Sequence, residues 1–143
     1  MIVVLDTNVV VSRYLSSTGS PAEIMRRWEM RAFEVVVSPP ILAEYDRVLR
    51  YSHIRRVHGL DDPAIATVVR RLRTSATVVE PVERLTVVHD ESDNRFLECA
   101  IEGEADLIVS SDRHLLSVGE YQGIRVLSPA AFVALLNSVH TEG

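Results

Sequence analysis

A chain of 143 residues is long enough to form one domain around a single core. Its hydrophobic content of 47% excludes an intrinsically disordered chain, and its apolar runs are strand-length and interrupted by charge, which excludes a membrane-spanning helix. The only cysteine, Cys99, excludes an internal disulfide and a cysteine-rich metal site. No basic leader precedes Asp6, so we expect a cytoplasmic protein.

The formal net charge is −5, whereas surfaces that bind nucleic acids are usually basic. Acids gathered in one metal site would leave the rest of the surface close to neutral, so the net charge alone does not exclude a nucleic-acid substrate. All basic residues other than histidine are arginines. Arginine binds phosphate well, but a composition bias of the genome is a simpler explanation than a role in phosphate binding.

The first predicted element is a strand over residues 2–5 that ends at Asp6. The run Ile2 to Leu5 is typical of a strand buried on both faces of a parallel sheet, and Asp6-Thr7-Asn8 follows at its carboxyl end. Ligands bind at that edge of open α/β sheets. An Asp in this position can equally cap the next helix, so both interpretations of Asp6 stay open.

Helices and strands alternate along the rest of the chain. Capping residues and apolar spacing predict helices near residues 10–15, 20–31, 39–49, 62–73, 91–102, 113–118 and 129–138. Ser20 is the predicted cap of the second of these helices. Buried runs predict further strands near residues 33–37, 76–80, 107–109 and 124–127. Strands separated by helices, without hairpin turn signals, predict a parallel sheet covered on both faces.

Two of the predicted strands end in an acid, Asp6 and Asp112. Right-handed crossovers place the ends of these strands at the same edge of the sheet, so we expect the two acids to meet. Asp93 lies in the first turn of a helix, where the helix dipole favours an acid with or without a further role. Glu44 precedes Arg47 and Arg50 on one helix, and these residues alone favour a solvated, salt-bridged face.

Carboxylates that converge without Cys or His partners favour Mg²⁺ or Mn²⁺ over zinc. Such a cluster suits phosphoryl transfer, because a divalent cation lowers the pKa of water and neutralises charge on the phosphate. The sequence contains neither the Gly-x-Ser-x-Gly motif of a serine hydrolase nor the glycine-rich loops that bind nucleotides.

The order and spacing of four motifs extend over nearly the whole chain: Asp6-Thr7-Asn8, Pro39 to Glu44, Asp93 to Ala100, and Ser110 to Leu116. Together they resemble the PIN-domain ribonucleases, in particular the VapC-like toxins of bacterial toxin–antitoxin pairs. The resemblance implies a three-layer α/β/α sandwich over residues 1–139, with a five-stranded parallel sheet in the order 3-2-1-4-5 and a flexible tail at residues 140–143. It also implies Mg²⁺- or Mn²⁺-dependent cleavage of single-stranded RNA that leaves a 5′-phosphate.

The resemblance assigns roles to individual residues. It makes Asp6, Glu44, Asp93 and Asp112 the catalytic, metal-holding acids, which reverses the interpretation of Glu44 given above. Three neighbours would orient these acids through hydrogen bonds: Asn8, Ser110 and Asp90. Ser92 and His114 stand where relatives often carry further acids, so the number of metal ions stays open.

Two arginines, Arg95 and Arg113, each lie within two residues of a proposed metal ligand. We expect them to contact phosphates of the substrate, although an exposed arginine without a role is the competing interpretation. The resemblance further implies a cognate antitoxin as partner and a homodimer or higher oligomer, with apolar surface expected around Trp28 and Tyr45. No membrane partner is expected.

Three other functions are alternatives to RNA cleavage. A phosphorylatable receiver domain needs a late Lys, and this chain has no Lys. A haloacid-dehalogenase-type phosphatase needs a second Asp two residues after the first, where this chain has Asn8. A PIN fold that binds RNA or protein without cleaving remains the alternative, because retained metal ligands do not measure turnover.

Overall fold

Secondary structure was assigned in a computed structural model, which describes residues 1–142 and the side chains up to residue 139. The strands are β1 (Ile2–Leu5), β2 (Glu34–Val37), β3 (Thr77–Val78), β4 (Leu107–Val109), β5 (Glu120–Tyr121) and β6 (Ile124–Leu127). The helices are α1 (Thr7–Leu15), α2 (Ser20–Glu29), α3 (Pro39–Leu49), α4 (Ser52–His58), α5 (Asp62–Ser75), α6 (Glu91–Glu102), α7 (Arg113–Val118) and α8 (Pro129–Glu142).

The strands form one sheet in the order β3-β2-β1-β4-β6-β5. All pairs are parallel except β5 with β6, which is antiparallel. The α/β sandwich and the order of the five predicted strands are therefore confirmed, because those strands correspond to β1 to β4 and β6. The central strand β1 is enclosed: Val3, Val4 and Leu5 are fully buried, as expected for an unbroken apolar run between two parallel neighbours.

The prediction of five strands without a hairpin is wrong, because β5 and β6 are joined by a tight turn. Gln122 and Gly123 occupy this turn with φ values of 50° and 83°. A two-residue hairpin with both central residues at positive φ matches the twist of the flanking strands. Gln-Gly is a weaker signal for such a turn than Asn-Gly, and β5 is only two residues long.

Several helix ends also differ from the predictions. Ser20 is the first helical residue of α2 rather than its cap, since Gly19 occupies the N-cap position with a φ of 95°. Helix α4 was not predicted, and it buries none of its residues, so its sequence carries no apolar periodicity. Helix α8 continues to Glu142. The predicted flexible tail at residues 140–143 lies outside the residues whose side chains are described.

Within the described part of the chain, no helix is long and apolar enough to cross a membrane.

Candidate acidic site at the carboxyl edge of the sheet

Asp6 and Ser110 follow neighbouring strands and meet directly. Leu5 of β1 is in register with Val109 of β4, and the backbone N–H of Asp6 donates to the Val109 carbonyl oxygen at 2.9 Å. Ser110 Oγ then donates to Asp6 Oδ2 at 2.6 Å. Asp6 is 5% exposed and Ser110 is fully buried. The parallel register thus explains why residues about a hundred positions apart share one hydrogen bond.

The same serine connects Asp6 to Asp112. Ser110 Oγ accepts a hydrogen bond of 2.9 Å from the backbone N–H of Asp112. Asp112 Oδ1 accepts from the backbone N–H of His114 at 2.7 Å and so caps α7. Asp6 also occupies an N-cap position, that of α1, but its carboxylate makes no capping hydrogen bond further into the helix. Its carboxylate is therefore directed to Ser110 and the neighbouring acids, which favours the site interpretation of Asp6.

Glu44 of α3 faces the same corner. Thr7 Oγ1 donates a hydrogen bond to Glu44 Oε2. Arg47 lies on the other side, with Nη2 at 3.4 Å from Glu44 Oε1. The Glu44 side chain is 17% exposed, whereas that of Arg47 is 56% exposed. A mostly buried carboxylate beside Thr7 does not match a solvated, salt-bridged face.

Thr7 is a site residue that the sequence reasoning did not single out. It is 4% exposed, and its hydroxyl contacts Glu44 immediately beside Asp6. Its place within Asp6-Thr7-Asn8 was the available signal. A polar residue that directly follows a strand-ending acid shares that acid's location at the sheet edge.

Asp93 completes the group from the first turn of α6. It is 5% exposed, and among the described residues its Oδ2 is buried without a hydrogen-bond partner. Burial, followed by repulsion from Asp112, Asp90, Asp6 and Glu44, raises the pKa of Asp93 to about 7. A buried, unpartnered carboxylate oxygen is costly unless a proton or a cation balances its charge.

The pKa of Asp6 is also raised, to about 6. Burial is the main cause, and the charges of Glu44 and Asp112 add to it. Hydrogen bonds from Ser110 and from the backbone N–H of Thr7 act in the opposite direction. The charges of Glu44 and Asp112 thus raise the pKa of both Asp6 and Asp93, as expected for like charges that share a poorly solvated corner.

The donors fit a hard cation, because every available ligand atom is a carboxylate or hydroxyl oxygen. A bound cation is also favoured by the buried, unpartnered Oδ2 of Asp93 and by the repulsion of this group by the neighbouring acids. Over the described residues, however, no three Asp, Glu, His or Cys side chains lie close enough together to hold a metal ion as they stand. A bound cation would have to draw the carboxylates closer together.

The remaining predicted site residues lie around this corner. The side chain of Asn8 is exposed, and no hydrogen bond joins its amide to the four acids among the described residues. Asp90 caps α6 by accepting from the backbone N–H of Ser92 at 2.8 Å, and it acts on Asp93 through its charge. Arg113 is exposed at the start of α7.

Arg95 lies on α6 and forms an ion pair with Glu98 of the same helix. Its Nη1 donates to both carboxylate oxygens of Glu98, at 2.7 and 2.8 Å. Both hydrogen bonds use one nitrogen, so the other N–H groups of this guanidinium remain able to bind a phosphate. The Arg95 side chain is 17% exposed.

A cavity of about 290 Å³ borders Glu44 and extends towards α6. Arg47, Arg84 and Arg95 line it together with Glu44 and Glu91. Arg84 was not predicted as a site residue, because residues 81–89 carry no periodic pattern that would place them. The larger cavity of the fold, about 740 Å³, includes the start of β2 at Glu34 and none of the four acids. It therefore lies away from the acidic corner.

We expect the unfolding free energy, measured in chelator, to rise as the pH falls from about 8 to about 5. The sign follows from the raised pKa values: folded Asp6 and Asp93 bind protons more tightly than the same groups in the unfolded chain, so acidification favours the folded state. Urea unfolding across this range measures it, and Asp93→Asn should flatten the profile. A stability that falls on acidification in both proteins would contradict the assignment.

Comparison with known proteins places the chain in a family. The model of the PIN domain matches residues 2–114. The chain is also 28% identical over 116 residues to the uncharacterized protein MJ1680 of Methanocaldococcus jannaschii, which covers 81% of this chain and 74% of that protein.

Three solved structures share the fold. PAE2754 from Pyrobaculum aerophilum has a TM-score of 0.62 at 16% identity, over 96% of this chain and 90% of that one. VapBC2 from Rickettsia felis, bound to a DNA fragment from its promoter, has a TM-score of 0.57 at 13% identity, over 90% of this chain and 98% of that one. VapC20 from Mycobacterium tuberculosis, a Sarcin-Ricin loop cleaving toxin, has a TM-score of 0.55 at 16% identity, over 86% of this chain and 98% of that one.

Proposed function

This chain belongs to the PIN-domain family, and on that premise we propose that it is an endoribonuclease that hydrolyses single-stranded RNA with the help of Mg²⁺ or Mn²⁺. The observation that carries the proposal is the buried acidic corner. Ser110 ties Asp6 to Asp112 there, and Asp93 presents an unpartnered carboxylate oxygen. The burial of carboxylates that repel one another is unfavourable unless a cation binds between them.

Asp6, Glu44, Asp93 and Asp112 would hold the cation, supported by hydrogen bonds from Ser110 and Thr7. Once bound, the cation would lower the pKa of an attacking water and offset the charge that develops on the phosphate. Asn8 and Asp90 are proposed to lie at the rim of the site, where the charge of Asp90 adds to the repulsion that a bound cation would offset at Asp93.

The hydroxyl groups of the site are poor candidates for a covalent nucleophile. Ser110 Oγ is buried, donates to Asp6 and accepts from Asp112, and Thr7 Oγ1 donates to Glu44. Direct attack of water on phosphorus is therefore the favoured route, and it does not use the 2′-hydroxyl of the RNA. We expect products that carry a 5′-phosphate and a 3′-hydroxyl.

End-labelled single-stranded RNA tests the proposal. Purified protein is incubated with Mg²⁺ or Mn²⁺, or with chelator, and the product ends are mapped. Cleavage that needs the cation and leaves 5′-phosphates supports the proposal. Cleavage that survives chelation, or that leaves 2′,3′-cyclic phosphates, overturns the mechanism.

A second candidate is a PIN fold that binds RNA or protein without cutting it. The observation in its favour is that no three acids of the described residues are gathered closely enough to hold a metal ion as they stand. Retained RNA binding without cleavage of any RNA tried, with either cation, would favour this candidate.

We further propose that the protein is the cytoplasmic toxin of a toxin–antitoxin pair and that it self-associates. The shared fold with VapC20, a toxin, and with the VapBC2 complex supports the pairing with an antitoxin. A small reading frame immediately upstream that encodes a DNA-binding protein would support the pairing. Co-purification of its product with this chain and sedimentation of the chain alone test the two partners separately.

Phosphates of the RNA are proposed to contact Arg95 and Arg113, and also Arg84, which borders the cavity next to Glu44. We expect Arg84→Ala and Arg113→Ala each to lower the slope of log K against log salt by about 0.7, the value for one phosphate contact on a single strand. RNA titrations at several salt concentrations, in an Asp112→Asn background that blocks cleavage, measure the slope. Arg70→Ala, an exposed arginine on α5, is the control. Equal slopes in all these proteins would exclude the contacts.

A further inference from the structure

Tyr45 connects the helix that carries Glu44 to the strand that ends at Asp6. It follows Glu44 on α3 and is 1% exposed. Its hydroxyl donates a hydrogen bond of 2.5 Å to the backbone carbonyl oxygen of Leu5, the residue before Asp6. Thr7, the residue after Asp6, donates to Glu44. Two consecutive residues of α3 thus bind the two residues that flank Asp6.

The Leu5 carbonyl lies beyond the residues of β1 that pair with β2, although Leu5 itself still pairs with Val109 of β4. The register between β1 and β2 comprises the pairs Ile2 with Glu34 and Val3 with Val35. Leu5 is fully buried, and a buried backbone carbonyl needs a donor. A phenylalanine would fill most of the same space without supplying this donor.

We propose that Tyr45 is a positioning residue, which fixes α3 relative to the end of β1 and so sets the separation of Glu44 from Asp6. This inference rests on the proposed function, because the separation matters only if the two acids share a cation. The other buried contacts of α3 are mostly made by apolar side chains such as Ile41, Leu42 and Leu49. Apolar packing is not directional, whereas a hydrogen bond constrains distance and angle, so the Tyr45 hydroxyl fixes the helix to the backbone at the end of β1, next to the side-chain contact of Thr7 with Glu44.

The test compares Tyr45→Phe with a conservative substitution of another buried residue. Ile65→Val removes one methylene from a fully buried residue in a smaller hydrophobic cluster, which is separate from the core cluster that contains Leu5 and Tyr45. Mn²⁺ affinity is measured by isothermal titration calorimetry on proteins that circular dichroism shows to be folded. We expect Tyr45→Phe to weaken Mn²⁺ binding about tenfold, the effect typical of partners that orient metal ligands, and Ile65→Val to leave it unchanged.

Equal Mn²⁺ affinities in wild type and Tyr45→Phe would overturn the inference. If Tyr45→Phe is unfolded in dilute buffer, the osmolyte trimethylamine N-oxide favours its folded state for the same titration.

A second readout does not depend on the cation. Amide hydrogen exchange in chelator should be faster over residues 5–8 in Tyr45→Phe than in Ile65→Val at matched global stability. If wild type binds no Mn²⁺, the proposed function fails, and the exchange rates still decide whether Tyr45 holds this segment. Unchanged exchange over residues 5–8 would show that it does not.

Discussion

We expect Asp112→Asn to lower the rate of RNA cleavage by about 100-fold or more while the protein stays folded. Loss of a cation ligand removes several kcal/mol of transition-state stabilisation, and each 1.4 kcal/mol corresponds to a factor of about ten. The structural role of the side chain survives, because Asn can still accept from the backbone N–H of His114 and cap α7. The hydrogen bond from Asp112 to Ser110 uses the backbone and is unaffected.

The matched control is Asp61→Asn. Asp61 caps α5 in the same way, with Oδ1 accepting from the backbone N–H of Ala64 at 3.0 Å, but it does not belong to the acidic corner. Initial rates on one RNA, with melting curves for both variants, separate the loss of charge at the site from the loss of a cap. Similar rates for Asp112→Asn and wild type would contradict the assignment of Asp112.

The sequence predicted those parts of the site that follow from strand order. Asp6 comes directly after a buried run, and Asp112 follows another after Ser110 and Ser111; parallel strands bring such ends to one edge. The role of Ser110 came from the family resemblance, and the register places this residue across from Asp6. The positions of these strand ends could be predicted because a buried parallel strand is nearly continuous in apolar residues, and its end is therefore visible in the sequence.

Glu44 illustrates what residue patterns alone could not predict. Its spacing from Arg47 is also that of an exposed ion pair, and the structure does place Arg47 at 3.4 Å. Whether such a helix face is solvated depends on how the helix packs against the sheet, which local spacing does not encode. The ordered family motifs supplied that long-range information, and the contact with Thr7 agrees with it.

The roles of Tyr45 and Arg84 could not be predicted from the sequence for a different reason. The prediction of apolar surface around Trp28 and Tyr45 is wrong, because the two residues are 8% and 1% exposed. Tyr45 follows the apolar spacing of α3 into the core, where its hydroxyl contacts the backbone beside Asp6. Arg84 lies in a segment without regular structure, so no periodicity places it beside the cavity that borders Glu44. The role of each residue depends on a tertiary contact made by one polar group, and hydrophobic patterns do not report such contacts.

Wild-type protein should melt at a higher temperature in Mn²⁺, and Asp6→Asn should lose most of this gain. A ligand that binds only the folded state adds about 2.7 kcal/mol at 100 times its Kd, which raises the Tm of a chain of this size by roughly 5–10 °C. Without the cation, Asp6→Asn should melt above wild type at neutral pH, because it removes a buried charge whose pKa is already raised to about 6. The amide oxygen can still accept from Ser110. The two proteins should therefore exchange their order of stability when Mn²⁺ is added.

Melting curves of both proteins in chelator and over a Mn²⁺ series measure this reversal. Asp46→Asn serves as the control, because Asp46 lies on α3 and pairs with Arg50 at 3.1 Å outside the acidic corner, so its Mn²⁺ shift should equal that of wild type. The reversal needs both a cation site and a carboxylate that is costly when that site is empty. An equal Mn²⁺ shift in wild type and Asp6→Asn would remove Asp6 from the site, since non-specific binding to surface acids stabilises the two proteins alike.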